Sequence, residues 1–398
     1  MFESIKTLPA DPILGLMAAY RADSNPNKID LGVGVYKDEQ GRTPVMRAVK
    51  AAEKRLLENQ DSKTYVAPAG QDSFNQLVAR LILGDALVDS LGDRRVTFQT
   101  PGGCGGLRLG AEFLQKVKPG ARILVSDPTW ANHIPLLGEA GLQIGKYPYY
   151  DYENHAIRFD AMMDALSQAR AGDLVLLHGC CHNPCGADLN QSQWQAVAEL
   201  ALKNGFTPFI DLAYQGLGDG LAEDTYGVRL LAETLPELVL VSSCSKNFGL
   251  YRERTGSLTV ISSNAESAKA AGSQIASTAR SIYSMPPDHG AAVVAEILGD
   301  PALKTDWDVE LAEVRNRING LRTELVNALK AQGIEQDFSF IQREKGMFSF
   351  LGLSVEQVRS LINDYSIYLV DSSRINIAGI NHNNLEYLAS SIKKVLQA

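Results

Sequence analysis

The sequence predicts an α/β fold, a largely parallel sheet with helices on both faces, accompanied by a separate, smaller α+β layer. Three observations predict it. From about residue 95 to 260, short β-rich apolar runs alternate with longer stretches of helical period. A glycine-rich turn, Pro101-Gly102-Gly103-Cys104-Gly105-Gly106, joins the first of these runs to a helix pattern. The last third of the chain then changes character, to a long charged amphipathic stretch, two short strand candidates and a closing helix.

Taken in order, Val96 to Thr100 reads as a strand, and Leu107, Ala111 and Leu114 set the period of the helix after the glycine turn. Ile123 to Ser126, Asp173 to His178, Thr207 to Asp211 and Leu238 to Ser242 are further strands, with helical segments such as Gln191 to Asn204 between most of them. Strands alternating with helices imply βαβ units and a buried parallel sheet. Trp307 to Gln332 reads as one helix, Met347 to Leu351 and Ile367 to Leu369 as short strands, and Asn384 to Leu396 as the last helix. There is no internal repeat, low-complexity tract or Pro/Gly/Ser linker, so tightly packed domains are expected, with the N-terminal residues joining the C-terminal layer.

The 398 residues suffice for two or three domains at roughly 150 residues each. A composition 45% hydrophobic and 21% charged, with 34 Gly and 16 Pro, is that of a folded globular protein. The net charge is −8 and no Lys/Arg run forms a basic stripe, which argues against nucleic acid as a partner. Glu3, Lys6 and Asp11 interrupt the apolar character of the N-terminus, and no apolar run approaches the roughly 18 residues of a membrane span. A cytoplasmic location without membrane contact is the expectation. The cysteines at 104, 180, 181, 185 and 244 are confined to the middle of the chain and read as reduced thiols rather than a disulfide framework.

In an open parallel sheet, ligands bind beyond the carboxyl ends of the strands. The residues of chemical interest fall there: Gly102 to Gly106, Asp127 to Trp130, Cys180 to Gly186, Asp211 to Tyr214, and Ser242 to Lys246. A glycine turn opening a helix suits a phosphate, because free backbone N–H groups and the helix dipole favour an anion. The run matches neither G-x-G-x-x-G nor a P-loop, so phosphate is expected and a dinucleotide is not; a plain strand-to-helix turn is the alternative. Asp211 reads as a buried carboxylate in need of a partner, or as a helix N-cap. A desolvated Lys246 would be a nucleophilic amine able to form a Schiff base; otherwise it is a surface lysine. Two rival constellations are weak. Ser243-Cys244-Ser245-Lys246 fits the S-x-x-K of serine acyl-transfer enzymes, but the partner motifs are missing. Cys180, Cys181, His182 and Cys185 crowd together without a second pair to close a zinc site, so no metal is expected. Arg280 and Arg374 would suit a dicarboxylate if they enter one crevice, since a guanidinium grips a carboxylate bidentately.

With these residues laid out, the chain resembles the fold-type I pyridoxal-phosphate aminotransferases, specifically the aspartate and aromatic subgroup, over essentially its full length. The resemblance is carried by Asp11-Pro12-Ile13-Leu14, Leu31-Gly32-Val33-Gly34-Val35-Tyr36, Asp127-Pro128-Thr129-Trp130, Cys181-His182-Asn183-Pro184, Ala213-Tyr214-Gln215-Gly216, Ser245-Lys246-Asn247-Phe248 and Gly346-Met347-Phe348-Ser349. It implies a large pyridoxal-phosphate domain over 45–312 and a small discontinuous domain over 1–44 and 313–398. It implies that Lys246 holds the cofactor as a Schiff base and later shuttles the proton, that Asp211 pairs with the pyridine nitrogen, and that His133 supports Asp211. Trp130 would stack on the ring, and Asn183 and Tyr214 would bond its phenolic oxygen. The phosphate would be held by Gly103, Cys104, Ser243, Ser245, Arg254 and Tyr65 of a neighbouring subunit. Substrate would meet Arg374 through its α-carboxylate, with Gly34, Phe348, Trp130 and Asn183 close by, and Arg280 of the neighbour through its distal carboxylate. A homodimer with shared sites and ping-pong kinetics through pyridoxamine phosphate follow from the same resemblance.

Several positions depart from the aspartate-enzyme pattern. Cys104 and Cys185 stand where Thr is usual, Ser373 where Gly is usual, and Met285 where Asn is common. Met285, adaptable beside an aromatic group, together with the stretch Ser242 to Arg252, favours an aromatic-amino-acid aminotransferase that takes Tyr, Phe or Trp, and also Asp, with 2-oxoglutarate as acceptor. A dedicated aspartate aminotransferase is the nearer alternative. A serine acyl-transferase using Ser243 and Lys246, or a binding protein that keeps the fold without the chemistry, is more distant.

Overall fold

The computed structural model describes residues 2–7 and 12–397. Asp11, part of the first stretch carrying the resemblance, lies outside the described residues. The chain divides into two units, Pro44–Arg317 with Glu344–Gly346, and Met1–Thr43 with Ile318–Arg343 and Met347–Ala398.

The larger unit is built on seven strands, numbered here in chain order: β1 (Arg95–Pro101), β2 (Arg122–Asp127), β3 (Gln143–Pro148), β4 (Leu174–His178), β5 (Thr207–Leu212), β6 (Leu238–Ser243) and β7 (Thr255–Ile261). They form one sheet in the order β1-β7-β6-β5-β4-β2-β3. The pairs from β6 through β3 are parallel, and β7 runs antiparallel to both β1 and β6. Every residue of β6 and β7 is buried, as a sheet covered on both faces requires. Leu176, Phe209, Val241 and Leu258 from adjacent strands join Leu107, Leu109 and Phe113 of the helix α1 (Gly102–Val117) in one core.

The glycine run does more than turn the chain. On α1, Gly103, Gly106 and Gly110 share one face, and a β-carbon on each would meet Ser243 at 3.2 Å, Val241 at 2.7 Å and Phe209 at 3.0 Å. The missing side chains let the helix lie directly on β5 and β6, with its N-terminus beside the ends of those strands. The helix α2 (His133–Gly138) follows β2, and α3 (Gln191–Asn204) is closed at its start by a capping box of Asn190 and Gln193 and at its end by left-handed Gly205. The expected helix at Trp307 begins earlier. Helix α5 (Pro301–Ala331), which follows α4 (Ala265–Ile282), starts where the Asp300 carboxylate accepts the N–H groups of Ala302 and Leu303 and proline takes the first turn. Glu344–Gly346 belong with the larger unit because Lys345 donates its N–H to Gly186 and Tyr150 donates its hydroxyl to Glu344.

In the smaller unit, Ile29–Asp30 pairs in parallel with Ile367–Tyr368, and Phe348–Phe350 pairs antiparallel with Arg374–Asn376. The side chain of Asn376 donates to the carbonyls of Val33 (2.7 Å) and Val35 (2.8 Å), which fixes the loop that carries Gly34. Among the described residues, no helix is long and apolar enough to cross a membrane.

Candidate active site

Asp211 ends the apolar run of β5, inside the strand rather than at a helix cap, and is only 8% exposed. Its carboxylate accepts a hydrogen bond from Nε2 of fully buried His133, at 3.0 Å, at the start of α2. Behind this pair, the Thr129 hydroxyl bridges two imidazoles, 2.8 Å from Nδ1 of His133 and 3.0 Å from Nε2 of His178. The register of β4 against β5 places His178 directly beside Asp211. His178 lies 3.9 Å, centre to centre, from the ring of His182, whose nitrogens meet the Ser126 hydroxyl at 3.0 Å and the Cys185 thiol at 3.2 Å.

The electrostatics follow from this arrangement. Burial alone would raise the Asp211 carboxyl, but the His133 hydrogen bond and the neighbouring His133, His178 and Lys246 hold it below the ordinary carboxylate value. Burial, reinforced by the proximity of His133, pushes His178 down to about 3, and burial pushes His182 well below its ordinary value. Both rings are therefore neutral at pH 7. Burial also lowers Lys246, with Asp211 opposing the shift, so the amine gives up its proton more readily than an exposed lysine.

Lys246 follows β6, with Nζ 4.8 Å from the centre of the Tyr214 ring. Asn183 donates from Nδ2 to the Tyr214 hydroxyl at 3.4 Å, while its buried Oδ1 has no hydrogen-bond partner. Trp130 packs edge-on against His133 at 5.2 Å. At the start of α1, Gly102 has a φ of +68°, and a β-carbon there would stand 2.6 Å from the Arg254 guanidinium. Arg254 is itself left-handed and donates to the Tyr251 carbonyl at 2.9 Å. The Ser243 side chain abuts Gly103, and its hydroxyl accepts the Ser245 N–H at 3.2 Å. Half-buried Cys104 lies on the same turn; burial raises its thiol, with Arg254 and Lys246 pulling the other way. These groups set a glycine turn beside a guanidinium, a buried carboxylate and an amine near one set of strand ends.

The sequence-predicted residues of the smaller unit form a cluster of their own. Arg374 is buried, donates to the Gly32 carbonyl at 2.7 Å and lies over the Phe348 ring at 4.4 Å. A β-carbon on Gly34 would meet that ring at 2.7 Å. Tyr65 and Arg280 take a different place, on the surface of the larger unit: Tyr65 is 92% exposed, and exposed Arg280 donates to the Ser284 hydroxyl at 2.6 Å. Sequence reasoning gave Thr129 and His178 no role beside Asp211, and considered His182 only as a metal ligand. The signal for His178 was its place at a strand end next to that of Asp211.

Among the described residues, one group of side chains is close enough to share a metal ion, the buried Cys180, Cys181 and Asp224. The Asp224 carboxylate already accepts the N–H groups of Gly216, Gly218, Asp219 and Gly220, which accounts for it as the anchor of that loop.

A carboxylate held by a buried imidazole, a depressed lysine and a glycine turn beside a guanidinium are the parts that a cofactor-dependent group-transfer site requires. The sequence profile of the family described as Aminotransferase class I and II matches residues 26–392, and the chain belongs to that family. It is 48% identical over 396 residues to the aspartate aminotransferase of Haemophilus influenzae, covering 100% of both chains. It is 47% identical over 394 residues to the aromatic-amino-acid aminotransferase of Pseudomonas aeruginosa, covering 99% of this chain and 98% of that protein. Among solved structures it resembles the aromatic-amino-acid aminotransferase of Burkholderia pseudomallei covalently bound to pyridoxal phosphate, with a TM-score of 0.97, 43% identity, and 100% and 99% of the two chains covered.

Proposed function

We propose that the chain is a pyridoxal-phosphate-dependent aminotransferase that moves amino groups from Tyr, Phe or Trp, and also from Asp, to 2-oxoglutarate, as a cytoplasmic homodimer. The observation that carries this reading is the depressed amine of Lys246 on the same strand ends as Asp211, whose charge His133 maintains. The residues fit the cofactor on two counts. Asn183 Oδ1 is a buried acceptor without a partner, and Gly102 leaves room beside Arg254 that any side chain would fill.

Gly103, Cys104, Ser243, Ser245 and Arg254, with Tyr65 of a second subunit, would hold the phosphate; Trp130, Asn183 and Tyr214 would hold the ring, and Asp211 its nitrogen. When bound, pyridoxal phosphate supplies an electron-withdrawing ring and a carbon that accepts the amino group. The protein's part is positioning and proton transfer. Arg374 grips the α-carboxylate bidentately, with Gly34 and Phe348 shaping the space around it. Lys246 Nζ, whose burial eases the loss of its proton, takes the α-proton and returns it to a neighbouring carbon. Asp211 keeps its negative charge and so holds a proton on the group it faces. Arg280 of the second subunit receives a distal carboxylate. In this reading a large domain over 45–312 holds the cofactor, and a small domain over 1–44 and 313–398 carries Arg374.

The test is the visible spectrum and amino-transfer activity of the purified protein. A pH-sensitive cofactor band, lost in Lys246→Ala together with transfer, supports the reading; its absence in the wild type refutes it. A dedicated aspartate aminotransferase is a second reading, favoured by the 48%, 48% and 47% identity to three proteins of that name. A kcat/KM for Asp several orders above that for Tyr or Phe would establish it instead.

A further inference from the structure

Arg280 lies in the last turn of α4, and four residues later the chain makes the sharp turn into the helix Asp288–Gly299. At that turn Ser284 has a φ of +67°, a left-handed conformation disfavoured for a residue other than glycine. The turn is pinned: the Ser284 N–H donates to the Ala279 carbonyl at 3.0 Å, and the Met285 N–H to the Tyr283 carbonyl at 2.8 Å. This geometry brings the Ser284 hydroxyl to 2.6 Å from one guanidinium nitrogen of Arg280. A guanidinium has five N–H donors, so one hydrogen bond leaves the rest of the fork for an incoming carboxylate.

Resting on the proposed role of Arg280 toward a distal carboxylate, we infer that Ser284 is a positioning residue that pre-orders Arg280 and thereby sets the preference for dicarboxylate over aromatic substrates. An exposed arginine samples many rotamers and loses that freedom when it grips an anion. Anchoring the guanidinium to a pinned turn removes part of that loss before substrate arrives. An aromatic side chain forms no ion pair with Arg280 and gains nothing from the anchoring. The Ser284 hydroxyl therefore acts on dicarboxylate binding and not on proton transfer.

The test is steady-state kinetics with aspartate and with phenylalanine, at saturating 2-oxoglutarate, for wild type, Ser284→Ala, Ser284→Gly, Ser284→Asn, Arg280→Ala and the Arg280→Ala/Ser284→Gly double variant. Ser284→Gly suits the left-handed backbone, so it removes the hydroxyl without adding strain. Ordering one long side chain is worth about two- to tenfold in binding. Ser284→Gly and Ser284→Ala are expected to raise the KM for aspartate by about fivefold, with kcat and the phenylalanine KM unchanged. Ser284→Asn tolerates the backbone, keeps an acceptor and is expected to restore the aspartate KM. In the Arg280→Ala background, Ser284→Gly is expected to have no further effect. Parallel shifts for both substrates, or a Ser284→Gly effect that persists without Arg280, overturn the inference alone. A wild type that transfers no amino group from either substrate overturns the proposed function and the inference with it.

Discussion

Nε2 of His133 donates to Oδ2 of Asp211 at 3.0 Å, between two side chains that water scarcely reaches. That bond opposes the cost of burying a carboxylate and keeps Asp211 charged where the cofactor ring would need a counter-charge. Removing it as His133→Ala leaves the carboxylate short of a donor, which costs about 1–3 kcal/mol. A fall in kcat/KM of about tenfold or more is expected, with the acid limb of the pH–rate profile moved to higher pH because the carboxyl loses the group that held it down. A profile that keeps its acid limb would contradict this role for His133.

Acid sensitivity should come from the buried imidazoles as well as from Asp211. Because folded Asp211 sits below the ordinary carboxyl value, its stabilising contribution is complete above about pH 4 and is lost as pH falls through the folded value. His178 acts over a wider window: folded it resists protonation down to about 3, while the unfolded chain takes up the proton near its ordinary 6.5. Stability therefore declines between those values, by roughly 1.4 kcal/mol per pH unit for this one group at most. Urea midpoints measured from pH 7 to pH 5 should fall more steeply for the wild type than for His178→Gln.

Gly102→Ala tests the cradle without touching a catalytic side chain. The new β-carbon would lie in a left-handed residue and 2.6 Å from Arg254, so the guanidinium must move. The strain costs about 1–2 kcal/mol and the fold should survive it. Release of pyridoxal phosphate, followed by its absorbance after gel filtration, is expected to speed up about tenfold.

Arg374→Lys keeps the charge and loses the planar fork held over Phe348. The KM for every amino-acid substrate should rise, by about tenfold or more, and equally for aspartate and phenylalanine. A selective effect on one substrate would mean that Arg374 does not take the shared α-carboxylate.

Much of this architecture could be read from the chain because buried parallel strands are continuous apolar runs: Leu238 to Ser242 was expected, and Leu238–Ser243 is the strand. Two strands of the seven-stranded sheet escaped. Gln143–Pro148 lies at the sheet edge and carries Gly145 and Lys146, while Thr255–Ile261 opens with Thr-Gly-Ser, polar residues buried through local pairing such as Ser257 with Ser242. The start of α5 was legible in Asp300-Pro301, a cap and first-turn pair, but the apolar period drew the boundary to Trp307. Asp211 and Lys246 stand out in the sequence because polar groups at the ends of apolar strands need a reason. Thr129 and His178 do not, since their role depends on strand register and on a hydroxyl shared between two rings.

The central claim, that Lys246 is the reacting amine of an aminotransferase site organised by Asp211, is tested most directly by one spectrum. The purified protein with pyridoxal phosphate should show a visible band that shifts with pH, disappears on adding an amino-acid donor such as phenylalanine or aspartate, and returns with 2-oxoglutarate. In Lys246→Ala that band and its response should be lost while the protein remains folded. A wild-type protein without the band, or a Lys246→Ala variant that keeps it and still transfers the amino group, would contradict the account.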